Sequence, residues 1–216
     1  ALLQELLSPA GILARNDPKV RALEGLEQTI ADLAGAIPDS VTVRDGPIEY
    51  QVDLRRGQKT GLFLDQRENR EAAARYARGR LLDAFSYHGG FALRLAAQSS
   101  DAEAIDISAD AVQHIQVNAV RNGIRNLGVR EENVFDALRR LEKAGERFDT
   151  IVLDPPAFAK NKASVPNALA GYKEINLRAM RLLQPGGTLV TCSCSYNVNE
   201  DTFGAVLHDA SVDSYT

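Results

Sequence analysis

Five short apolar runs alternate with five stretches of helical spacing between Arg80 and His208, and this alternation leaves few architectures open. Strands are predicted over 80–84, 102–107, 128–131, 148–153 and 188–191, and helices over 90–98, 109–122, 134–143, 168–183 and 201–208. Strands joined through a helical crossover run parallel, since the crossover returns the chain to the end of the sheet where it started. Runs such as Thr150-Ile151-Val152-Leu153 lack polar alternation, as expected of strands covered on both faces. The pattern implies an α/β class with a mostly parallel, doubly wound sheet.

The first 57 residues read differently. Ala1–Leu7 has the spacing of an amphipathic helix, without the basic start of an export signal. A short strand is predicted over 11–14, and Asn16-Asp17-Pro18 caps a helix running to about Leu33. Val41–Val43 and Ile48–Leu54 form a β-hairpin around Arg44–Pro47. A strand is expected over 60–64, and Asp65…Glu68 has capping-box spacing for a helix to about Ala77. The chain thus divides into a small α+β segment, 1–57, and a larger domain, 58–216. The lone methionine is Met180, so the sequence is expected to start inside a longer protein. It stops about 20 residues after Cys194, so the far edge of the sheet is expected to be missing.

Composition excludes several classes. No apolar run approaches the roughly 18 residues of a membrane span. Two cysteines without an export signal favour a reducing cytoplasm. The net charge of −4 is unlike the basic footprint of many nucleic-acid binders. Its distribution is uneven, though, with nine Lys/Arg against six Asp/Glu between Arg44 and Arg80. Arg67, Arg70, Arg75 and Arg78 share a helical face that suits phosphates, or else an Arg67–Glu71–Arg75 ladder of ion pairs. His88, His114 and His208 fall in no ligand spacing, so no metal is expected.

Ligands of an open parallel sheet sit beyond the carboxyl ends of its strands, and the motifs cluster there. Leu81–Gly90 is a strand, a turn and a glycine-opened helix, and Asp106 ends the next strand 23 residues after Asp83, where a carboxylate takes ribose hydroxyls. G-x-G-x-x-G is absent, which favours an adenosine without phosphates, as in S-adenosylmethionine, over a dinucleotide. A helix stop with a turn explains any one of these features singly. Asp154-Pro155-Pro156-Ala157-Phe158 and Thr191-Cys192-Ser193-Cys194-Ser195 close two further strands. A carboxylate and a thiol at one crevice suggest covalent attack on an electrophilic ring.

Five segments in order, Gln58–Arg70, Asp83–Gly90, Asp154–Phe158, Gly171–Asn176 and Ser193–Ser195, resemble one bacterial family. It is the S-adenosylmethionine-dependent methyltransferase family that makes 5-methylcytosine in large-subunit ribosomal RNA, and the likeness runs from about Gly11 to Thr202. The resemblance implies a class I, Rossmann-like methyltransferase fold. It also implies that Lys59, Thr60, Phe63 and Arg67 line the methionine side of the cofactor. Asp83, Phe85, Ser86 and Gly89 would hold its centre, and Asp106 the ribose. Asn133 stands where the family more often has Asp against the adenine amino group, and Asp154 closes the site at the reacting methyl. Cys194 aligns with the nucleophile, whereas Cys192 lies deeper, as core. Pro155, Pro156 and Phe158 would face ribosomal RNA, with Phe158 or Tyr196 stacking on the base, and Lys160 and Lys162, in the loop after Phe158, flank the site either as phosphate contacts or as plain solvated loop lysines. The family's PUA domain and C-terminal hairpin are not expected within these 216 residues, and a homodimer is left open.

Other readings share the crevice. A base-nitrogen methyltransferase of the 7-methylguanine type needs no thiol, and Cys194 and Ala157 argue against it. A small-molecule methyltransferase suits the acidic charge. A non-catalytic RNA- or cofactor-binding module would bind without turnover, with both cysteines as small buried hydrophobes.

Overall fold

The computed structural model describes residues 2–56, 61–159 and 161–215. Two compact units emerge: Ala1–Val43 with Gln51–Phe63, and Arg44–Tyr50 with Leu64–Thr216. The first holds helix α1 (Leu2–Leu7), strand β1 (Gly11–Asn16), the single-turn helix α2 (Val20–Leu23) and strand β2 (Thr29–Gly35). Strands β3 (Ser40–Asp45) and β4 (Ile48–Asp53) form the expected hairpin, whose tip belongs to the second unit.

Three expectations fail here. The helix predicted to Leu33 stops after one turn, at a left-handed Gly25, and the chain re-enters as β2, antiparallel to β1. Its end is set by Gly35, where a Cβ would lie 2.0 Å from Ala10 O, so only glycine fits. The described part of the predicted 60–64 strand is irregular, because Gly61 has φ +91°, outside any strand conformation. A 3-10 turn over Leu64–Gln66 leads into α3 (Arg67–Ala74), whose N-cap is Gln66, and the Asp65…Glu68 capping box does not form.

The second unit carries the sheet. Strands β5 (Arg80–Ala84), β6 (Asp101–Asp106), β7 (Leu127–Glu131), β8 (Phe148–Leu153) and β9 (Leu183–Thr191) are parallel in the order β7-β6-β5-β8-β9. Between them run α4 (Gly90–Ala96), α5 (Ala109–Arg121), α6 (Val134–Lys143) and α7 (Val165–Leu182), with α8 (Glu200–Ser214) after β9. Successive side chains alternate between faces. Leu82, Ala84, Ile151 and Leu153 pack with Leu138, Leu141, Tyr172 and Ile175 from α6 and α7. Leu81 and Val152 pack with Ala73, Ala74, Phe91 and Leu95 from α3 and α4. Both faces are covered, so the fold is the doubly wound, Rossmann-like sheet. Among the described residues, no helix is long and apolar enough to cross a membrane.

The hairpin tip is anchored by polar contacts. Asp45, at the end of β3, accepts from Nε of the buried Arg70 at 3.0 Å, and Arg67 Nε lies 3.1 Å from its other oxygen. Glu49 and Asn122 exchange two hydrogen bonds, of 2.8 and 2.7 Å. Removing one member of a buried ion pair leaves the other charge uncompensated. Arg70→Ala is therefore expected to cost about 3–5 kcal/mol in urea unfolding. A double replacement by Met at 70 and Leu at 45 should recover most of that loss. An Arg70→Ala midpoint equal to wild type would show that this pair carries no stability.

Candidate active site

The strand order reverses between β5 and β8, and their carboxyl ends form the crevice where α/β sheets bind ligands. Register pairs Asp83 with Val152 and Ala84 with Leu153, so Asp154 emerges just beyond the end of β5. Asp154 N donates to Ala84 O at 3.4 Å.

Asp83 is 1% exposed. Its Oδ2 accepts from Ser86 Oγ at 2.6 Å and Ala92 N at 2.8 Å, while Oδ1 has no hydrogen-bond partner among the described residues. Burial pushes this carboxyl up to about 7, against the pull of the Ser86 and Ala92 hydrogen bonds and with help from the charges of Asp154 and Asp106. Phe85 (φ +65°) and Tyr87 (φ +49°) are left-handed, which costs a non-glycine residue of order 1–3 kcal/mol each. Gly89 (φ +79°) takes the same conformation freely and serves as N-cap of α4. This kinked loop turns Tyr87 N onto Asp106 Oδ2 at 2.8 Å, and Ser108 N holds the other oxygen at 2.9 Å. Each Asp106 oxygen keeps a further lone pair for a hydroxyl. Asn133 Oδ1 caps α6 through Phe135 N, at 2.9 Å.

Asp154 Oδ1 accepts from Gln66 Nε2 at 3.1 Å. Burial, then the nearby Asp65 charge, pushes the Asp154 carboxyl up to about 6, while Arg70 and bonds from Cys192 and Gln66 pull it down. The Cys192 thiol is a partner of this carboxylate, and burial and the Asp154 charge drive it up to about 12. Cys194, two residues on, is exposed, and its Sγ donates to Pro155 O at 3.6 Å. The two cysteines therefore differ in kind. One is a half-buried thiol locked onto a carboxylate, and the other stands at the crevice rim.

The remaining sequence candidates scatter. Lys59, Thr60 and Lys160 lie outside the described residues, and Phe63 belongs to the first unit. Arg67 pairs with Asp45 on the hairpin tip. Pro155 is buried and Pro156 exposed, and Lys162 is exposed in a 3-10 turn capped by Asn161. The Phe158 ring packs on Tyr172, Phe135 and Phe85, with centroids 4.7, 5.9 and 6.2 Å away, whereas Tyr196 is 98% exposed. Spacing arguments missed Gln66 and the contact of Cys192 with Asp154. Both depend on side chains meeting across elements, which no short motif encodes. They also missed a ring column, Tyr87 on His88 (3.8 Å) on His114 (4.3 Å), with Asp110 beside it. Imidazoles stacked face to face share no in-plane point near both, so one ion cannot lie along both nitrogen lone pairs at the usual 2.0–2.1 Å. The column is packing.

A parallel sheet with carboxylates at three strand ends around its switch point defines the class I methyltransferase architecture. The chain belongs to the S-adenosylmethionine-dependent methyltransferase family, whose profile matches residues 4–210. It is 39% identical over 218 residues to Ribosomal RNA large subunit methyltransferase I of Aeromonas hydrophila, and 41% over 217 residues to the Erwinia tasmaniensis protein of the same name. Each alignment covers 98% of this chain and 55% of the relative, so the chain spans about half the length of these curated proteins. Among solved structures it resembles SMU.776, crystallised with SAH (TM-score 0.74, 24% identity, 84% of this chain and 49% of that one). It also resembles a SAM-dependent methyltransferase from Agrobacterium tumefaciens (TM-score 0.75, 16% identity, 96% and 66%). The cofactor is S-adenosylmethionine, and the crevice fits it. The orphaned Asp83 oxygen and the raised Asp83 and Asp154 carboxyls suit a cation that restores their ionised forms.

Both carboxyls lie above their ordinary 3.8, so the folded protein keeps protons that the unfolded chain has already lost. Their contribution to stability is full below about pH 3.8 and is lost as pH rises through about 6 to 7. Asp83→Asn should therefore gain stability relative to wild type as pH rises from about 3.8 to about 7 in parallel urea titrations. A difference that stays flat with pH would mean that Asp83 titrates normally.

Proposed function

We propose that this chain methylates carbon-5 of a cytosine in large-subunit ribosomal RNA, with Cys194 as covalent nucleophile. The observation that carries this reading is the exposed Cys194 thiol, at the strand end beside the Asp154 loop. The ribosomal RNA substrate follows the relatives' name, and implies action in the cytoplasm. Asp83, Ser86, Gly89 and Asp106 would hold the cofactor, with Asn133 beside its adenine and Asp154 at its reacting end.

Carbon-5 of cytosine is a weak nucleophile. Addition of the Cys194 thiolate at carbon-6 breaks the 5,6 double bond and pushes electron density to carbon-5. The cofactor supplies an electrophilic methyl on a sulfonium. Once carbon-5 has taken the methyl it gives up its proton to water, and the electron pair re-forms the double bond as the thiolate leaves. One hard substitution is thereby split into easier steps. As carbon-6 is attacked, charge builds at N3, and a carboxyl near 6 is matched to sharing a proton there. Burial and the Asp154 charge push the Cys192 thiol up, which disfavours the thiolate that a nucleophile needs. The base must leave its stack to enter, and the exposed Tyr196 ring offers a surface to receive it.

Two measurements test this. Asp106→Ala should weaken S-adenosylmethionine binding by about 1.5–3 kcal/mol in calorimetry, as for charge-assisted hydrogen bonds. Unchanged affinity would move the ribose elsewhere.

In the full-length enzyme, Cys194→Ala should abolish methylation of unmodified ribosomal RNA with cofactor affinity nearly intact, the mark of a lost chemical step. Cys192→Ala should keep most activity. RNA with 5-fluorocytosine at the target should trap an adduct on Cys194, because fluorine blocks the proton loss before elimination. A fully active Cys194→Ala enzyme would instead favour a nitrogen-methylating reaction that needs no thiol.

A further inference from the structure

Tyr172 lies on α7 with its side chain wholly buried, yet its hydroxyl sits among polar groups from the crevice. Ser195 Oγ is 2.9 Å from the phenol oxygen, and Ser193 Oγ donates to it at 3.1 Å. Ser195, itself 4% exposed, also accepts from Ala159 N at 3.1 Å, which ties in the loop that follows Asp154. Ser195 N donates to Ser193 Oγ at 3.4 Å. Cys194 is therefore the middle residue of a three-residue stretch after β9, leading into the turn at Tyr196, whose outer side chains both close on one phenol. The ring has little freedom, with Phe158 of the Asp154 loop at 4.7 Å and Phe203 of α8 at 5.3 Å. A buried hydroxyl network fixes geometry when its members are mutually satisfied. Cys194 Sγ donates to Pro155 O at 3.6 Å, a long thiol bond that is weak for holding a reacting atom in place.

We infer that Tyr172 is a positioning residue, whose buried hydroxyl clamps the Cys194 turn against the Asp154 loop and sets where the thiol stands. The inference rests on Cys194 being the nucleophile. Covalent addition needs the sulfur on its line of attack, and a misplacement of about 1 Å can cost about 100-fold. β9 ends at Thr191 and Cys192 N still donates to Leu153 O of β8 at 2.8 Å, which anchors the chain two residues before Cys194 but leaves the precision at the thiol to be set beyond the strand. The clamp supplies it from the helix behind.

The clamp has a signature that activation of the thiol would not share. Loosening the turn frees Cys194 to meet a small reagent from any direction, but spoils its approach to a fixed base. Tyr172→Phe keeps the packed ring and deletes only the hydroxyl. In the full-length enzyme it should lower kcat about 10- to 100-fold, with cofactor affinity and KM for RNA within about twofold. The same variant should raise the rate of Cys194 carboxamidomethylation by iodoacetamide several-fold, followed peptide by peptide with Cys192 as internal control. Ser193→Ala removes one arm of the clamp and should show both effects in milder form, which covers a Tyr172→Phe protein that fails to fold. Parallel falls in alkylation and methylation would overturn the proposal, since Tyr172 would then be activating the thiol. So would a kcat within twofold of wild type. Faster alkylation of Tyr172→Phe alongside a fully active Cys194→Ala enzyme would uphold the clamp on the turn while refuting the nucleophile it is said to serve.

Discussion

The parallel register of β5 against β8 governs the chemistry of this molecule. One pairing, Asp83 with Val152 and Ala84 with Leu153, brings the ends of two strands from distant parts of the chain to one level. A shift of a single residue would turn every side chain to the opposite face of the sheet. Leu82, Ala84, Ile151 and Leu153 could not then share the α6–α7 core, nor could Leu81 and Val152 reach α3 and α4. The hydrophobic effect on two faces thus fixes where the carboxylates lie. At about 25 cal/mol per Å² of buried apolar surface, burying each of the Leu, Ile and Val side chains among them contributes roughly 1.5–3 kcal/mol that the shifted register would forfeit.

The same packing creates electrostatic tension at the crevice. Asp83, Asp106 and Asp154 converge on a poorly hydrated region, and two of them are raised well above ordinary carboxyls. Native hydrogen bonds meet part of the need: Ser86 and Ala92 for Asp83, Gln66 and Cys192 for Asp154. Asp83 Oδ1 is left over among the described residues. Function and instability have one origin here, since a site short of positive charge is complementary to a cationic cofactor.

Much of this was legible in the sequence, for identifiable reasons. Strands 80–84 and 148–153 and helix 134–143 match the structure residue for residue, because both-face burial and amphipathic spacing leave unambiguous patterns. Residues 16–33 misled, since Asn16-Asp17-Pro18 is a sound helix start but Gly25 ends the helix and Thr29–Gly35 finds a partner strand. Longer reach was also missed: β9 begins at Leu183 and α8 continues to Ser214. At the site, motifs located the acidic strand ends. They carried no trace of Gln66 on Asp154, of the Cys192 thiol on the same carboxylate, or of Tyr172 behind the Cys194 turn. Those contacts join elements far apart in the chain, and periodicity reports only what lies on one element.

The left-handed backbone at Phe85 and Tyr87 narrows the alphabet open to the cofactor loop. Branching at Cβ makes Val, Ile and Thr true outliers at such φ values. Glycine would fit the backbone but would abandon the Phe85 ring, which meets Phe135 and Phe158 edge-on. Residue 85 must therefore satisfy two demands that few side chains meet together, tolerance of positive φ and an aromatic footprint. A substitution at this position therefore reaches, through one ring, both Phe135 on α6 and Phe158 in the loop after Asp154.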